Sequence, residues 1–379
     1  MTRLYSFRVW IISACLLMTF SFTGCWDVEE INRRNTANSL FLDQGQNNPV
    51  KLGISIEVPG SLLPAYNGTE QLFQKRNYII SGEGRGLLDA WKVLQTNTAR
   101  SIYFGQIGAV ILSDKFAKVG LTDLLDFLGR WVEIPGNTYI LVTCSDPEQL
   151  LDLKLRNNFL PGNYIQTYYE SPSRKSLAIP IRLWQIFTIV ANRTSDIFMP
   201  LIEPSQGQYK IAGLALFSRE RMVGTLDVEE TEALALVKEV QNGYLTVPLG
   251  RTGDNRLVAF YNIKSNSKIQ PVLSSSGQLQ FIVKVLIAGS IQELQPRDVK
   301  ITPAEIRRYQ KAASLMVKKE ITKVLTKLQK YNSDVVGFGG KLRIKYPRYW
   351  ESIDWHQEFP KVGFKVETRF TSENTGVFR

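Results

Sequence analysis

The segment "QLQFIVKVLIAGSIQEL" at 278–294 alternates apolar and polar side chains over most of its 17 residues. A period of two places every second side chain on one face of a strand, whereas a helix would scatter the same residues around its circumference. The preceding segment "RLVAFYNIKSNSKI" at 256–269 alternates in the same way. We therefore predict two long antiparallel strands, each with one face toward a core.

A long helix is predicted directly after these strands, at 303–330. Thr302 supplies an N-cap hydroxyl, Pro303 fits the first helical position, and Glu305 completes a capping box. The apolar face that follows at helical spacing consists of Ile306, Tyr309, Ala313, Met316, Val317, Ile321, Val324, Leu325 and Leu328. The opposite, basic face consists of Arg307, Arg308, Lys311, Lys318, Lys319, Lys323, Lys327 and Lys330. We expect the apolar face to pack on a sheet and the basic face to lie outward.

One acidic residue, Glu320, falls within the apolar face of this helix. A carboxylate on a face that packs against a sheet needs a cationic or hydrogen-bonding partner. We expect Arg343 or Lys345, on a strand predicted to follow the helix, to be that partner.

The first half of the chain alternates between strand-like and helix-like stretches. Strands are predicted at 51–58, 76–81, 102–113 and 138–144, and helices at 86–95 and 115–131. "MPLIEPSQGQ" at 199–208 is the best candidate for a domain boundary.

The second half begins with a predicted hairpin at 210–226, built from "KIAGLALF", the turn "SRE" and "RMVGTL". Asp227 and Glu230 then form a capping box for a helix that Gly243 is expected to terminate.

These elements predict an α+β, multidomain protein in which mixed and antiparallel sheets pack with helices. We assign 25–205 to an N-terminal α/β module and 206–379 to a C-terminal α+β module that contains the long basic helix. Subdivision of either module would give three domains, which the length of 379 residues allows.

The first 24 residues have the pattern of a secretory signal peptide. Arg3 and Arg8 are their only charged residues, and 9–22 is almost wholly apolar but too short to cross a bilayer. Thr23 and Gly24 then precede Cys25, as in a bacterial lipobox, although Phe22 stands where that motif most often has leucine. We therefore expect the Cys25 sulfur to carry a diacylglycerol and to anchor an exported protein.

Positive charge is concentrated near the C-terminus. The chain has a formal net charge of +11, and residues 300–348 alone hold 13 basic and three acidic side chains. An exported chain without a recognition motif does not meet nucleic acid, so a nucleic-acid partner is excluded. The basic face is either a solvated surface or a contact with anionic lipid or an acidic patch on a membrane partner.

No motif of the sequence supports a catalytic or metal site. The single histidine, His356, excludes sites with several histidine ligands, and its surroundings predict the end of a packed strand. Ser265 and Lys268 match S-x-x-K without an accompanying K-T-G. We therefore predict a protein that is not an enzyme and holds no cofactor or metal.

Other suggestive residues have simpler structural explanations. Turns account for the glycines of "GEGRG" at 82–86 and "VGFGG" at 336–340. Acid pairs such as Glu29 with Glu30, or Glu229 with Glu230, are expected in solvated helix starts. Cys144 has no cysteine partner and is expected to be a small core residue.

Four blocks of the sequence together resemble the Ger(x)C spore germination lipoproteins. They are Cys25-Trp26-Asp27 with Glu30-Ile31, "IYFGQIGAVILSDKFAKVGLTDLLDFLGRW", "IAGLALFSRERMVGTLDVEETEAL" and "LTKLQKYNSDVVGFGGKLRIKYPRYW". The resemblance runs in order over essentially the whole chain, from Cys25 to the last strand.

This resemblance implies the C subunit of a nutrient germinant receptor in an endospore-forming bacterium. Such a protein is a non-catalytic lipoprotein of several α+β domains on the outer face of the spore inner membrane. Its partners are the integral-membrane A and B subunits of the receptor.

A solute-binding lipoprotein of a membrane transporter is the alternative function. Such a protein needs two similar doubly wound lobes around a ligand cleft, whereas the second half here is predicted to be antiparallel with one long helix.

Overall fold

The computed structural model describes Trp10 and residues 34–58, 77–131, 133–155, 159–171, 174, 177–239, 242–249, 256–275, 277–295 and 302–374. The predicted signal peptide at 1–24, apart from Trp10, and the predicted lipidation site Cys25 lie outside the described residues.

The first sheet contains nine strands within the described residues. In chain order they are β1 (Arg34–Asp43), β2 (Val50–Glu57), β3 (Asn77–Gly84), β4 (Ser101–Tyr103), β5 (Ala109–Ser113), β6 (Tyr139–Thr143), β7 (Phe198–Ser205), β8 (Gln208–Ser218) and β9 (Arg221–Leu226). Their spatial order is β3-β2-β1-β5-β6-β7-β8-β9, with β4 beside the start of β1. β1, β5, β6 and β7 are parallel, whereas β2, β3, β8 and β9 are antiparallel to their neighbours. The sheet is therefore mixed, with its parallel strands in the middle.

Helices cover both faces of this sheet. They are α1 (Leu87–Gln95), α2 (Asp114–Val119), α3 (Thr122–Arg130), α4 (Pro147–Asp152), α5 (Pro161–Glu170) and α6 (Leu183–Asn192). Successive residues of a strand point to opposite faces, so β1 places Leu40 and Leu42 in one core cluster and Phe41 in the other. Leu94 of α1 joins the first cluster and Ile165 of α5 joins the second.

Two elements predicted in the first half are each divided into two. The strand expected at 102–113 is split into β4 and β5, because the chain turns where Ile107 N–H bonds Phe104 C=O at 3.0 Å. The helix expected at 115–131 is split into α2 and α3 at Gly120, whose φ of 136° lies outside the helical region.

The second sheet contains four strands within the described residues. They are β10 (Gly243–Pro248), β11 (Leu257–Leu273), β12 (Leu279–Gln295) and β13 (Gly363–Asn374), in that spatial order. The two long alternating strands, β11 and β12, pair antiparallel as predicted, and β13 runs parallel to β12.

Five helices follow in the described part of the second half. They are α7 (Val228–Val237), α8 (Pro303–Lys330), α9 (Phe338–Lys345), α10 (Pro347–Glu351) and α11 (Trp355–Glu358). α8 is the predicted long helix, and the Thr302 hydroxyl accepts the Glu305 N–H at 3.2 Å. Its apolar face is buried against the second sheet, where Ser314 donates to the Thr368 carbonyl of β13 at 2.8 Å. The predicted α+β class, with mixed and antiparallel sheets and a long amphipathic helix, is confirmed.

Local predictions in the second half are wrong at three places. α7 ends at Val237 and Gly243 begins β10, because Glu239 and Asn242 both have positive φ. Arg343 and Lys345 lie on α9, where a strand was expected. His356 lies on α11 and is not at the end of a strand.

The first sheet continues past the module boundary assigned at 205/206. That boundary lies in the turn between β7 and β8, and β8 and β9 extend the sheet of the first half. Buried residues of both sheets also form one continuous cluster, which includes Leu216 of β8, Val283 of β12 and Ile321 of α8. The two sheets thus share a core.

Candidate interaction surface

No helix in the described part of the chain is long and apolar enough to cross a bilayer. Across the same residues, no group of three or more His, Cys, Asp or Glu side chains is arranged to hold a metal ion. The surface of α8 carries the basic face predicted from the sequence.

The basic face of α8 points away from the core, as its helical spacing predicts. Seven of its eight cationic residues are exposed, and Lys327 is half-buried. Leu315, on the same side of the helix, is 60% exposed and lies one turn from Lys311, Lys318 and Lys319. A single exposed leucine is ordinary on a protein surface, so the cations are what distinguishes this face of the helix.

Two lysines of the basic face are occupied within the protein. Lys327 lies 2.5 Å and Lys323 lies 3.5 Å from the carboxylate of Glu230 on α7. Glu230 is only 5% exposed, and it also accepts the backbone N–H of Asp227 at 3.1 Å. Burial acts to raise the pKa of Glu230, but the hydrogen bonds from Lys327 and Asp227 outweigh it and hold that pKa below its ordinary value.

Glu230 is thus a buried structural acid, and the expectation of a solvated acid at this helix start is wrong. Its capping box with Asp227 is present as predicted. The signal for its burial lies in the same helix, because the five consecutive residues Ala233 to Val237 are all buried and the second half of α7 is therefore enclosed on every side.

Five cations of the basic face remain without an ion pair to any described residue. Arg308 lies 3.7 Å from Glu305 and is therefore not among them. We call the five the free basic patch, which consists of Arg307, Lys311, Lys318, Lys319 and Lys330.

The expected ion pair of Glu320 does not form within the described residues. Glu320 is half-buried and lines a cleft of about 320 Å³ together with Glu229 and Glu232. Lys345, one of its two predicted partners, instead donates to the Pro271 carbonyl of β11 at 2.8 Å. Burial, and then the charge of Glu229, raise the pKa of Glu232 to about 7.

A buried carboxylate, Asp334, organises the chain just after α8. It accepts the backbone N–H groups of Gly337, Phe338 and Gly339 at 2.8–2.9 Å and the Trp355 indole N–H at 3.0 Å. Burial raises the pKa of Asp334 to about 6, against the effect of these backbone bonds. The "VGFGG" segment is therefore the capped entry to α9.

A second acid, Asp196, ties this region to the first sheet. Its carboxylate accepts the Asp334 N–H at 2.7 Å and the Arg219 N–H at 2.6 Å, in the turn between β8 and β9. Burial raises the pKa of Asp196, against these two bonds. Neither acid was predicted as important. The backbone donors of Asp196 are 23 and 138 residues away, whereas those of Asp334 lie only three to five residues along the chain.

Cys144 directly follows β6 and is exposed, so the prediction of a core residue is wrong. Burial and the charge of Asp114 nevertheless raise the pKa of its thiol. A raised pKa disfavours the thiolate form in which a cysteine is a nucleophile.

Two protein-family models match most of the chain. The model of the spore germination protein N-terminal domain matches residues 27–204, and the model of the spore germination B3/GerAC-like C-terminal region matches residues 212–376. The chain belongs to the Ger(x)C family.

Curated relatives match this Ger(x)C chain from end to end. Spore germination protein B3 of Bacillus subtilis (strain 168) is 22% identical over 374 residues, which cover 96% of this chain and 97% of the relative. Spore germination protein KC of the same organism is 22% identical over 387 residues, which cover 96% and 94%. The crystal structure of the GerBC protein matches with a TM-score of 0.57 at 20% identity, over 92% of this chain and all of that one. The fold of this Ger(x)C protein is therefore that of GerBC.

Proposed function

We propose that this Ger(x)C protein is a lipid-anchored, non-catalytic subunit of a nutrient germinant receptor, required for spores to respond to germinant. The end-to-end match to spore germination proteins, with 97% of protein B3 covered, carries the proposal. The two family models also occur in the expected order along the chain.

The anchor in this proposal is a diacylglycerol on Cys25. The apolar run before it is too short to span a bilayer, so retention at the membrane requires another attachment. Acyl chains contribute ~0.8 kcal/mol per buried methylene, so two chains suffice for stable anchoring. The folded body would then lie on the outer face of the spore inner membrane.

The partners in this proposal are the integral-membrane A and B subunits of the receptor. The free basic patch on α8 is the surface we assign to an anionic contact, either with lipid headgroups or with an acidic patch on a subunit. Residues 25–205 and 206–379 would act as two modules joined by the shared sheet and core.

Replacement of Cys25 tests the anchor, and Cys144 provides a matched control because it is exposed and has no disulfide partner among the described residues. Cys25→Ala should abolish incorporation of labelled palmitate, release the chain from spore membranes and prevent germination through this receptor. Cys144→Ala should leave all three unchanged. Palmitate labelling of Cys25→Ala, or normal germination with it, would contradict the proposal.

A further inference from the structure

A cavity of about 930 Å³ lies where the first sheet meets the C-terminal helices. Its lining comes from the end of α6, the loop 194–197, the turn between β8 and β9, and the segment 350–359. The volume falls within the range of roughly 300–1,000 Å³ that is typical of small-molecule sites. The receptor role proposed above does not use this cavity.

Three aromatic side chains form part of the lining. The Trp355 ring lies 5.8 Å from that of Trp350 and 5.5 Å from that of Phe359, measured between centroids. The hydrogen bond from the Trp355 indole to the buried Asp334 fixes the orientation of that ring. The rings are tilted to one another by 43° and 52°, so the face that can stack on a planar ligand is that of the half-buried Trp355 itself.

Three arginines, Arg193, Arg219 and Arg221, also line the cavity. None of their guanidinium groups makes an ion pair or a hydrogen bond to another described residue. Guanidinium groups bind carboxylates through two parallel hydrogen bonds, which is a geometry that lysine does not offer.

The carboxylates of the lining already have donors of their own. Asp196 accepts two backbone N–H groups, Glu220 accepts the Thr122 hydroxyl, and Asp354 accepts the His356 N–H at 3.0 Å. Among the charged groups of the lining, the three arginines are the ones whose side chains make no hydrogen bond to another described residue, so all their donors are available to a ligand.

The backbone around the cavity adopts a conformation that side chains other than glycine disfavour. Arg193, Arg219 and Asn332 have φ values of 52°, 55° and 48°. Such left-handed residues are uncommon, and they persist where surrounding contacts hold them. At Arg219 the contact is the bond from its N–H to the half-buried Asp196, so this acid sets the backbone position of the arginine at the cavity.

We propose that this cavity binds a small aromatic carboxylate, with Arg219 and Arg193 binding the carboxylate and Trp355 stacking on the aromatic ring. The site lies in the subunit itself, so binding does not require the receptor partners. A protein that does not bind the carboxylate could therefore still be a receptor subunit. Equally, a protein without the receptor role could still bind the carboxylate.

The test uses the full chain purified in detergent from its native host, with phenylacetate as the probe. Tryptophan fluorescence and calorimetry should show saturable binding of phenylacetate. The neutral phenylacetamide should bind at least about tenfold more weakly, because it lacks the charge that the guanidinium groups recognise. Inorganic phosphate should bind less tightly than phenylacetate, because it cannot stack on Trp355.

Two single substitutions complete the test. Arg219→Gln should weaken phenylacetate binding about tenfold at unchanged melting temperature, since it removes a charged hydrogen-bond donor. If Arg219→Gln does not fold, Arg193→Gln tests the same site with a second arginine. Arg100→Gln alters an exposed arginine outside the cavity and should bind phenylacetate like the wild type.

Three results would overturn the proposal. The first is the absence of saturable phenylacetate binding to the folded wild type. The second is equal affinity for phenylacetate and phenylacetamide, or for phenylacetate and phosphate. The third is an unchanged affinity in both arginine variants.

Discussion

The ammonium group of Lys327 donates a hydrogen bond to the buried carboxylate of Glu230, and this contact joins α8 to α7. The two residues are 97 positions apart in the sequence. Glu230 is enclosed on one side by its own helix and on the other by α8, so the lysine replaces the water that the carboxylate has lost. Part of the positive charge of α8 is therefore structural.

The first prediction concerns this ion pair. Glu230→Ala should lower the free energy of unfolding by about 2–4 kcal/mol, because it removes a buried acid and leaves a half-buried lysine unpaired. Urea denaturation of the full chain in detergent measures the change. Glu229→Ala, at the exposed neighbouring position, should stay within about 0.5 kcal/mol of the wild type.

A double-mutant cycle separates the pair from its surroundings. Glu230→Ala and Lys327→Ala should be less destabilising together than the sum of the two single changes, by at least about 1 kcal/mol. Additive losses would show that the two side chains do not interact.

Sequence patterns within a few residues predicted the long helix α8 well. They predicted less well the contacts that α8 makes with other parts of the chain. The start of α8 follows from Thr302, Pro303 and Glu305, because capping depends on residues within one turn. The pairing of Glu230 with Lys327 is not a local property, so the capping box at Glu230 was predicted and its burial was not. The break between β4 and β5 also involves a distant contact, since the N–H of Gly108, directly after the turn, bonds the Asn38 carbonyl.

A second prediction concerns the "GEGRG" segment, where glycine was explained by turns. Gly82 and Gly84 instead lie in β3, which α1 approaches closely. A Cβ on Gly84 would lie 2.2 Å from the backbone nitrogen of Ala90, which cannot move without the helix. Gly84→Ala should therefore cost about 2–3 kcal/mol in the free energy of unfolding.

The matched control is Gly86→Ala. Gly86 is the N-cap of α1, and an added Cβ there would meet nothing within 4 Å. Urea denaturation should show a loss of less than about 1 kcal/mol, which reflects only that alanine is a poorer N-cap than glycine. Equal losses at the two positions would rule out close packing as the reason for Gly84.

A third prediction uses the pKa of Glu232, which burial and the charge of Glu229 raise to about 7 from an ordinary 4.5. Because the folded-state pKa is the higher one, the folded chain holds a proton that the unfolded chain releases between these values. The resulting stabilisation is complete below 4.5 and is lost as the pH rises through about 7.

Glu232→Gln removes this ionisation and keeps the shape of the side chain. Near pH 8 the variant should be more stable than the wild type, by up to about 1 kcal/mol once solvent screening is included. Near pH 4.5 the two proteins should unfold at the same urea concentration, because the wild-type carboxyl is then protonated in the folded state. If Glu232→Gln stabilised the protein equally at pH 4.5 and pH 8, the result would contradict a raised pKa of Glu232.

The last prediction separates the structural lysines of α8 from the free basic patch. Lys311→Gln, Lys318→Gln and Lys319→Gln combined should leave the melting temperature unchanged, because these side chains are exposed and make no ion pair to a described residue. Lys323→Gln with Lys327→Gln should lower it, because both contact Glu230.

The triple variant, which should not change the melting temperature, should reduce binding to anionic membranes. Each lysine near an anionic surface contributes about 1 kcal/mol, so the triple variant should bind phosphatidylglycerol vesicles roughly 100-fold more weakly than the wild type at low salt. Added salt should reduce this difference, since the interaction decays over a Debye length of about 10 Å at 0.1 M. Slower germination with unchanged vesicle binding would assign the patch to an acidic receptor subunit. Normal germination and normal vesicle binding at normal protein level would show that the free basic patch is a solvated surface.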